Sequence, residues 1–280
     1  YPDVVFSKGG YGSVPVVFAA KFWRIPIIVH ESDSAPGRAN VWASKYAQKI
    51  AISYPDAAHY FDEKKVAWTG NPVRDEIKKP VMDGAHEYLK FDSNIKTILI
   101  LGGSQGAQII NNILIDTVPM LIDSYQIIHQ TGKNNFKEVK ATTDLLLKTH
   151  PNAERYVCFP YLNDLAMKMS AGAADLIVSR AGSTIFEIAS WNKPSILIPI
   201  TETNNDHQRK NAYYYARSGA CVVIEENNLT PEIFIAEINR LFTRPELLEE
   251  MKEGAKQFAK PDAGRLIARQ IIDTLVSHEK

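Results

Sequence analysis

Residues 97–108 read Thr97-Ile-Leu-Ile-Leu-Gly-Gly-Ser-Gln-Gly-Ala-Gln108 and lead from an apolar run into a glycine-rich turn. The pattern predicts a strand near residues 96–101 and a helix over about 105–121. Because the glycines of the turn lack side chains, an anion can approach the backbone closely, and the unpaired N–H groups that begin the helix point toward it. The junction therefore predicts a phosphate-binding site.

The same turn also fits a different chemistry. Residues 102–106 match G-x-S-x-G, the turn that presents a nucleophilic serine, here Ser104, in many hydrolases. Such an enzyme also needs an acid and a histidine later in the chain, which Asp175 or Asp206 with His207 would supply. No H-G-G-G-like loop for an oxyanion precedes Ser104, so the phosphate interpretation is favoured.

Composition narrows the class of protein. The chain has 280 residues, enough for two domains of ordinary size. Its 32 basic and 32 acidic residues cancel, so nothing favours nucleic acid as a partner. Cys158 and Cys221 lie far apart without metal-type spacing, which indicates a reducing compartment and no structural zinc. The longest apolar runs have strand length, so no transmembrane helix is expected.

Short apolar runs alternate with amphipathic segments of helical length, the pattern of βα units around a parallel sheet. The pattern breaks at residues 70–95, which lack a strand and are interpreted as a linker with a helix, so two sheets are expected. Predicted strands lie near residues 3–6, 26–29, 49–52 and 65–67, then near 96–101, 126–130, 154–159, 174–178, 195–199 and 220–224. Predicted helices begin near Ser13 and Pro36, at Ser104 or Gln105, within residues 181–183, at Asp206 and at Pro231, and a last one covers about 263–277.

Two more polar segments follow predicted strands. Residues 179–187 form another glycine turn that opens a helix, in which Ser183 and Thr184 can donate hydrogen bonds to phosphate. Glu187 lies one turn further on, where a carboxylate can accept two hydroxyl hydrogen bonds, as α/β proteins do for a ribose. In the alternative interpretation Ser183 only caps the helix and Glu187 is a favourable first-turn charge. Residues 206–212 open the next helix and place a third polar segment at the same expected edge.

Six motifs occur in order along the chain: Lys8-Gly-Gly-Tyr11, His30-Glu-Ser-Asp-Ser-Ala-Pro-Gly-Arg-Ala-Asn40, Gly70-Asn-Pro-Val-Arg74, Gly102-Gly-Ser-Gln-Gly-Ala107, residues 179–187 and Asp206-His-Gln208. Together they resemble the MurG family of bacterial glucosaminyltransferases. That resemblance implies an α/β protein of the GT-B fold, with two Rossmann-like parallel-sheet domains, the N-terminal one incomplete. Residues 1–73 would be the remaining part of the acceptor domain and 74–261 the donor domain that binds UDP-N-acetylglucosamine (UDP-GlcNAc). The C-terminal helix, 262–280, would pack back on the first domain.

The family's functional residues carry over by position. The resemblance implies that Arg74 and Ser104 meet donor phosphate, that Gln105 belongs to the same substrate-binding site, and that Leu162 packs on uracil. It further implies that Gly182, Ser183, Thr184 and Ile185 lie along the diphosphate, that Glu187 holds the ribose hydroxyls, and that Gln208 reaches the sugar. Asp33 falls where the family places a polar residue facing donor sugar and acceptor, and is the candidate catalytic residue.

The implied reaction is an inverting transfer of N-acetylglucosamine from UDP-GlcNAc to undecaprenyl-diphosphate-linked muramyl-pentapeptide, in peptidoglycan synthesis. No D-x-D sequence occurs, so neither a metal nor another cofactor is expected. A lipid acceptor implies peripheral contact with an anionic membrane, at the cytoplasmic face of the bacterial plasma membrane. Basic and aromatic residues suited to that contact are Phe18, Lys21, Phe22, Trp23 and Arg24, with Trp42, Lys45 and Lys49. In the alternative interpretation these residues belong to ordinary amphipathic helices that pack on a sheet with their polar tips in water.

The family begins with a strand and a G-G-T-G-G-H loop that have no counterpart here. We therefore expect a fragment of a longer product or an N-terminal partner chain, with donor binding retained and turnover absent from these residues alone. Two alternatives stay open. One is another GT-B enzyme, such as a UDP-GlcNAc 2-epimerase, and the other is a non-catalytic subunit that binds nucleotide sugars.

Overall fold

The computed structural model describes residues 2–103, 107–201 and 206–278. The described chain divides into two compact units. Unit 1 contains residues 2–73 and 260–278, and also residues 206–211, which the sequence analysis grouped with the second domain. Unit 2 contains residues 74–259 apart from that short stretch, within the described ranges.

Unit 1 is built on a sheet of four parallel strands that lie side by side in chain order. They are β1 (Val5–Ser7), β2 (Ile27–Glu31), β3 (Lys49–Ile52) and β4 (Val66–Trp68). The helices of this unit are α1 (Ser13–Phe22), α2 (Arg38–Ser44) and α11 (Ala263–His278). The sheet packs against α1 and α2 through a buried apolar cluster formed by Val17, Ala20, Ile25, Ile27, Val29, Ala43, Ala47, Ile50, Ile52 and Ala57.

Unit 2 contains six parallel strands in the order β10-β9-β8-β5-β6-β7. They are β5 (Thr97–Leu101), β6 (Gln126–Gln130), β7 (Tyr156–Phe159), β8 (Leu176–Ser179), β9 (Ser195–Leu197) and β10 (Cys221–Val223). The chain adds β6 and β7 on one side of β5 and then crosses to add β8, β9 and β10 on the other. The strand order therefore reverses between β5 and β8, which is where ligands bind in open parallel sheets.

Helices cover the unit 2 sheet. They are α3 (Ala85–Leu89), α4 (Gln108–Leu121), α5 (Phe136–Leu146), α6 (Asp164–Ala173), α7 (Thr184–Ser190), α9 (Pro231–Phe242) and α10 (Pro245–Phe258). Helix α8 (His207–Ala216) begins in unit 1 and ends in unit 2. The main core joins the strands to α4 and α9, whose fully buried residues include Leu114 and Phe234.

A buried polar network lies beside this core. The side chain of Asn111, on α4, has its oxygen 3.0 Å from His129 Nε2, and His129 Nδ1 lies 2.9 Å from the Tyr156 hydroxyl. Because the amide oxygen only accepts, Nε2 carries the ring proton and Nδ1 accepts from Tyr156. Burial lowers the pKa of His129 to about 3, so the ring is neutral near pH 7.

The predicted strands and fold class are confirmed, since each predicted strand overlaps an observed one. Helix α2 begins at Arg38, two residues later than the predicted start at Pro36, and α7 begins at Thr184. The predicted start of α4 at Ser104 or Gln105 falls outside the described residues, and the described helix begins at Gln108.

The segment interpreted as a linker, residues 70–95, packs closely against the rest of unit 2 from about residue 77 onward. Trp191 Nε1 donates a 2.6 Å hydrogen bond to the Ile77 carbonyl, and the Val81 N–H donates to the Lys168 carbonyl at 3.1 Å. A Cβ on Gly172 would lie 1.8 Å from the Val81 carbonyl oxygen, so only glycine fits there. From Arg74 onward the segment is therefore part of unit 2, which sequence composition alone did not reveal.

Candidate active site

The switch point of unit 2 lies between two glycine-containing loops. Leu101 at the end of β5 pairs with Ser179 at the end of β8, so the loops that follow leave the sheet side by side. Gly103 has a φ of +75°, which favours glycine. Among the described residues, chain neighbours apart, no atom lies within 4 Å of where a Cβ on Gly103 or Gly182 would be. Both backbones therefore border open space in which a ligand can approach. The candidate residues Ser104 and Gln105 lie outside the described residues.

Helix α7 opens directly from the second of these loops. Ser183 is its N-cap residue and makes no side-chain capping hydrogen bond, while Thr184 begins the helix. The first turn of a helix leaves N–H groups without intrahelical partners, and these attract anions. Gly182, Ser183 and Thr184 are at least partly exposed, whereas the Ile185 side chain is fully buried, so any ligand contact of Ile185 is through its main chain.

Glu187 is the acidic residue of α7 and lies in its first turn. It is partly buried, and within the described ranges its carboxylate makes no hydrogen bond or ion pair. Burial raises the pKa of Glu187 above its usual value, and the nearby charge of Arg74 opposes that rise. A partly desolvated carboxylate without hydrogen-bond donors is costly to keep, so hydroxyl groups of a ligand would stabilise it.

Arg74 lies near Glu187 but is bound to another acid. Its Nη1 is 2.7 Å from Asp164 Oδ1, and both side chains are about half exposed. Exposed ion pairs contribute only about 0–1 kcal/mol, so a phosphate can displace or share this partner at small cost. Asp164 is the first residue of α6, and Asn163 caps that helix by accepting from the Ala166 N–H at 2.9 Å.

Leu162, assigned to uracil by resemblance, is only 1% exposed. Its side chain leaves almost no surface for a base, so stacking on Leu162 would require neighbouring atoms to move. The adjacent Tyr161 is 43% exposed, with Lys133 Nζ 5.6 Å from its ring centroid. The uracil contact stays a prediction for this part of the chain.

An ion pair at the end of β8 was not predicted from the sequence. Arg180, directly after β8, forms an ion pair of 2.5 Å with Glu226, and its Nη1 also donates to the Ile198 carbonyl at 3.0 Å. Glu226 accepts from the Thr201 hydroxyl at 2.9 Å. Burial would raise the pKa of Glu226, but the hydrogen bonds from Arg180 and Thr201 lower it overall. This network fixes the backbone at the start of the glycine turn, and no sequence signal links residues so far apart.

In unit 1 the loop after β2 is organised around Glu31. This carboxylate is 2% exposed and accepts from the Asp33 N–H at 2.9 Å, the Gly37 N–H at 3.2 Å and Asn40 Nδ2 at 2.8 Å. Burial raises the pKa of Glu31, while its hydrogen bonds to Asn40 and Asp33 act in the opposite direction. The sequence showed Glu31 as part of a motif without revealing that it holds residues 31–40 in place.

Asp33, the candidate catalytic residue, is held at the start of α8. Its side chain is 37% exposed, it accepts from Asn211 Nδ2 at 2.9 Å, and His207 Nδ1 lies 4.0 Å away. The Asn211 side-chain oxygen accepts from the Ser34 N–H at 2.8 Å, so one amide holds the loop from two sides. Gln208, predicted to reach the donor sugar, is partly exposed on the same unit 1 part of α8. Asn211 itself was not singled out from the sequence.

His30 is not available as a base beside Asp33. It is fully buried, with Nε2 lying 3.2 Å from the Gly70 carbonyl oxygen, to which it donates. Burial and the charge of Lys8 lower the pKa of His30 to about 4, so the ring is neutral near pH 7. Lys8 donates to the Asn71 side chain at 3.3 Å. Among these titratable groups Asp33 is the one that combines exposure with a fixed position.

The described ranges contain neither a metal-binding cluster nor a membrane-spanning helix. No cluster of three histidine, cysteine, aspartate or glutamate residues is placed there to hold a metal ion. None of the helices described is both long enough and apolar enough to cross a bilayer.

Two Rossmann-like units with polar groups at the carboxyl ends of their strands define an α/β protein of the GT-B glycosyltransferase class. The model of the glycosyltransferase family 28 C-terminal domain matches residues 97–267, and that of the family 28 N-terminal domain matches residues 1–52. The chain belongs to glycosyltransferase family 28. This assignment favours a transferase over the hydrolase interpretation of the sequence at 102–106.

Named relatives agree with this assignment. The chain is 36% identical over 281 residues to a protein of Natranaerobius thermophilus, covering 98% of this chain and 75% of that one. It is 38% identical to a protein of Pediococcus pentosaceus, covering 100% of this chain and 75% of the other. Both are named UDP-N-acetylglucosamine--N-acetylmuramyl-(pentapeptide) pyrophosphoryl-undecaprenol N-acetylglucosamine transferase.

Solved structures confirm the fold. The crystal structure of Acinetobacter baumannii MurG superposes with a TM-score of 0.74 at 28% identity, covering 97% of this chain and 74% of that one. The UDP-GlcNAc 2-epimerase of Neisseria meningitidis bound to UDP-GlcNAc gives a TM-score of 0.67 at 19% identity, covering 97% and 76%. At that identity the second likeness shows the fold alone.

Proposed function

We propose that the chain takes part in the transfer of N-acetylglucosamine from UDP-GlcNAc to the 4-hydroxyl of an undecaprenyl-diphosphate-linked muramyl-pentapeptide, with inversion at the anomeric carbon, and that these residues alone bind the donor without turning it over. The observation that carries this proposal is Glu187, a partly buried carboxylate without a partner in the described ranges, one turn into the helix at the switch point. In this proposal Glu187 would accept both ribose hydroxyls, and the main chain of residues 182–185 would meet the diphosphate.

The reaction would be a single displacement. The oxygen of the acceptor hydroxyl attacks the anomeric carbon, and the bond between that carbon and the UDP oxygen breaks. Asp33 takes the proton of the acceptor hydroxyl. The charge that develops on UDP would be met by the N–H groups at the start of α7 and by Arg74. Asp33 fits the role of base because it is exposed, whereas Glu31 and His30 are buried.

Calorimetry with UDP-GlcNAc tests the donor site directly. We expect saturable binding by the chain as it stands, with UDP competing and ADP binding at least about tenfold more weakly because its purine does not fit a uridine site. Product analysis separates the epimerase alternative, which would yield the manno sugar from donor alone. Absence of UDP-GlcNAc binding at millimolar donor would contradict the proposal.

We further propose that α1 contacts an anionic membrane surface from the cytoplasmic side. Phe18 and Phe22 on this helix are 62% and 74% exposed, and Trp23 beside them is 54% exposed. Lys21 Nζ lies 3.9 Å from the centroid of the Tyr46 ring, so a cation accompanies the exposed rings. Exposed aromatic and basic residues on one helix suit the interface of an anionic bilayer.

Sedimentation with phosphatidylglycerol vesicles checks this surface. Trp23→Ser and Lys21→Glu should each lower the fraction of protein bound to the vesicles. For Lys21→Glu we expect a loss of about tenfold or more at low salt, because the reversal changes the charge by two units and each unit contributes roughly 1 kcal/mol. Leu145→Ser is the control, since Leu145 is also a largely exposed apolar side chain, at 74%, but lies in unit 2. Equal sedimentation of all three variants and the unaltered chain would reject the membrane role of α1.

A further inference from the structure

A second concave site lies in unit 1 beside Asp33. It is a cavity of about 420 Å³ bordered by the Pro36 loop, α2, Tyr60 and the start of α8. That volume lies within the range of pockets that hold small organic ligands. Trp42 and Tyr60 give it aromatic walls, and three cations, Arg38, Lys45 and Lys210, stand around it.

The charges of this cavity are unbalanced. No acidic residue lines it, and Arg38, Lys45 and Lys210 make no side-chain hydrogen bond or ion pair with any part of the chain that the structure describes. Three unpaired cations around one concavity repel each other and attract an anion. Arginine with lysine favours carboxylate or phosphate groups, and the aromatic walls favour a ligand with an apolar body between its charges.

The position of the cavity indicates which anion. Its lining begins at Ala35, two residues after Asp33, so the two Cα atoms are at most about 8 Å apart. Lys210 precedes Asn211, the residue that binds Asp33. In muramic acid the lactyl group that carries the peptide is on C3, next to the reacting 4-hydroxyl, whereas the diphosphate is on C1 across the ring. Of the two substituents of the acceptor sugar, the peptide is therefore the one attached closer to the reacting hydroxyl and so to Asp33.

We infer that the cavity lined by Arg38, Trp42, Lys45, Tyr60 and Lys210 binds the carboxylate-bearing peptide of the acceptor. The inference rests on the proposed function, because it takes Asp33 as the residue that faces the acceptor hydroxyl. The site recognises acceptors by their peptide charge, separately from the diphosphate and the lipid. Trp42 and Lys45, which the sequence grouped with the membrane-facing residues, belong to this cavity.

The test uses soluble N-acetylmuramyl-pentapeptide, which carries neither diphosphate nor lipid, in calorimetric titration of the chain. We expect saturable binding that weakens as salt rises, and a loss of at least about tenfold when the peptide carboxylates are converted to amides. Arg38→Gln, Lys45→Gln and Lys210→Gln should each weaken binding about fivefold, since each removes one charge-assisted contact. The triple variant should abolish it.

Matched measurements separate the possible failures. Lys64→Gln is the control, because Lys64 is an exposed cation of unit 1 outside the cavity, and it should bind the peptide normally. UDP-GlcNAc binding is measured for every variant and should be unchanged. If the unaltered chain binds no UDP-GlcNAc, the proposed function fails; if it binds donor but no peptide at millimolar concentration, this inference alone fails.

Two further outcomes would also overturn it. Equal affinity for the peptide with ionised carboxylates and for the amidated peptide would mean that the three cations do not bind the carboxylates. If the triple variant keeps peptide binding but no longer sediments with phosphatidylglycerol vesicles, the cavity serves a lipid headgroup instead. Inorganic phosphate at the same concentration should displace the peptide only weakly, because it lacks the apolar body that Trp42 and Tyr60 would contact.

Discussion

Replacing Glu187 with alanine should weaken UDP-GlcNAc binding by about 100-fold or more. Removing the carboxylate would remove two hydrogen bonds from the ribose hydroxyls, and each contributes roughly 1.5–3 kcal/mol because the acceptor is charged. Glu187→Gln keeps one carbonyl oxygen and should lose about tenfold. Calorimetric titration of both variants with UDP-GlcNAc gives the two ratios directly.

The pH dependence of binding provides a second readout of the same site. Burial raises the pKa of Glu187, and the protonated form is a weaker acceptor, so donor affinity should fall as pH drops through that raised pKa. Glu187→Gln should remove this dependence. Glu138, another first-turn carboxylate of unit 2, is exposed, and Glu138→Gln should leave affinity unchanged. If Glu187→Ala binds donor as tightly as the unaltered chain, the ribose assignment is wrong.

Replacing Glu31 with alanine should destabilise unit 1 by about 3 kcal/mol. The change removes the Glu31 acceptor from two partly buried N–H groups and from Asn40 Nδ2, which keeps only its 3.2 Å hydrogen bond to the His30 carbonyl. Each unsatisfied donor costs about 1–3 kcal/mol, part of which water entering the loop recovers. Hydrogen exchange is the right measurement, because two units need not unfold as one. The Asp33 and Gly37 amides, which donate to Glu31, should exchange about 100-fold faster.

Controls for Glu31 come from the same unit and the other one. Glu63→Ala removes an exposed carboxylate of unit 1 and should change amide protection very little. Amides of β5 and β8 should keep their protection in Glu31→Ala, since unit 2 has its own core. Unchanged exchange at Asp33 and Gly37 would show that the loop does not depend on this carboxylate.

The sequence predicted the strands well because each is a short, apolar run bounded by turn residues, as at residues 97–103. It predicted the places where polar groups meet, since parallel strands end at one edge and Glu187 follows one of them. Helices α5, α6 and α10 were not identified individually. Helix α6 follows the capping residue Asn163 and α10 begins at Pro245, so both carry local start signals that the prediction did not use, whereas α5 has no side-chain cap and is distinguished by its packing.

The side-chain partners were out of reach of the sequence. The pairs Asp33 with Asn211 and Arg180 with Glu226 join residues far apart in the chain, and local pattern carries no distance information. Leu162 shows a limit of the resemblance itself, because the role transferred to this position needs an accessible side chain and the Leu162 side chain is buried. The peptide-facing cavity was likewise invisible, because its three cations become neighbours only when α2 and α8 come together in unit 1.

The place of β5 within its sheet has a consequence for biosynthesis. β5 is the first strand of unit 2 to be made, yet it pairs with β6 on one side and with β8, made much later, on the other. As the chain leaves the ribosome, one flank of this apolar strand stays unpaired until residue 179 has emerged. A nascent chain that stalls before that point would expose the unpaired edge of β5, to which chaperones can bind. If the gene were cut between β7 and β8, neither half could complete the sheet by itself.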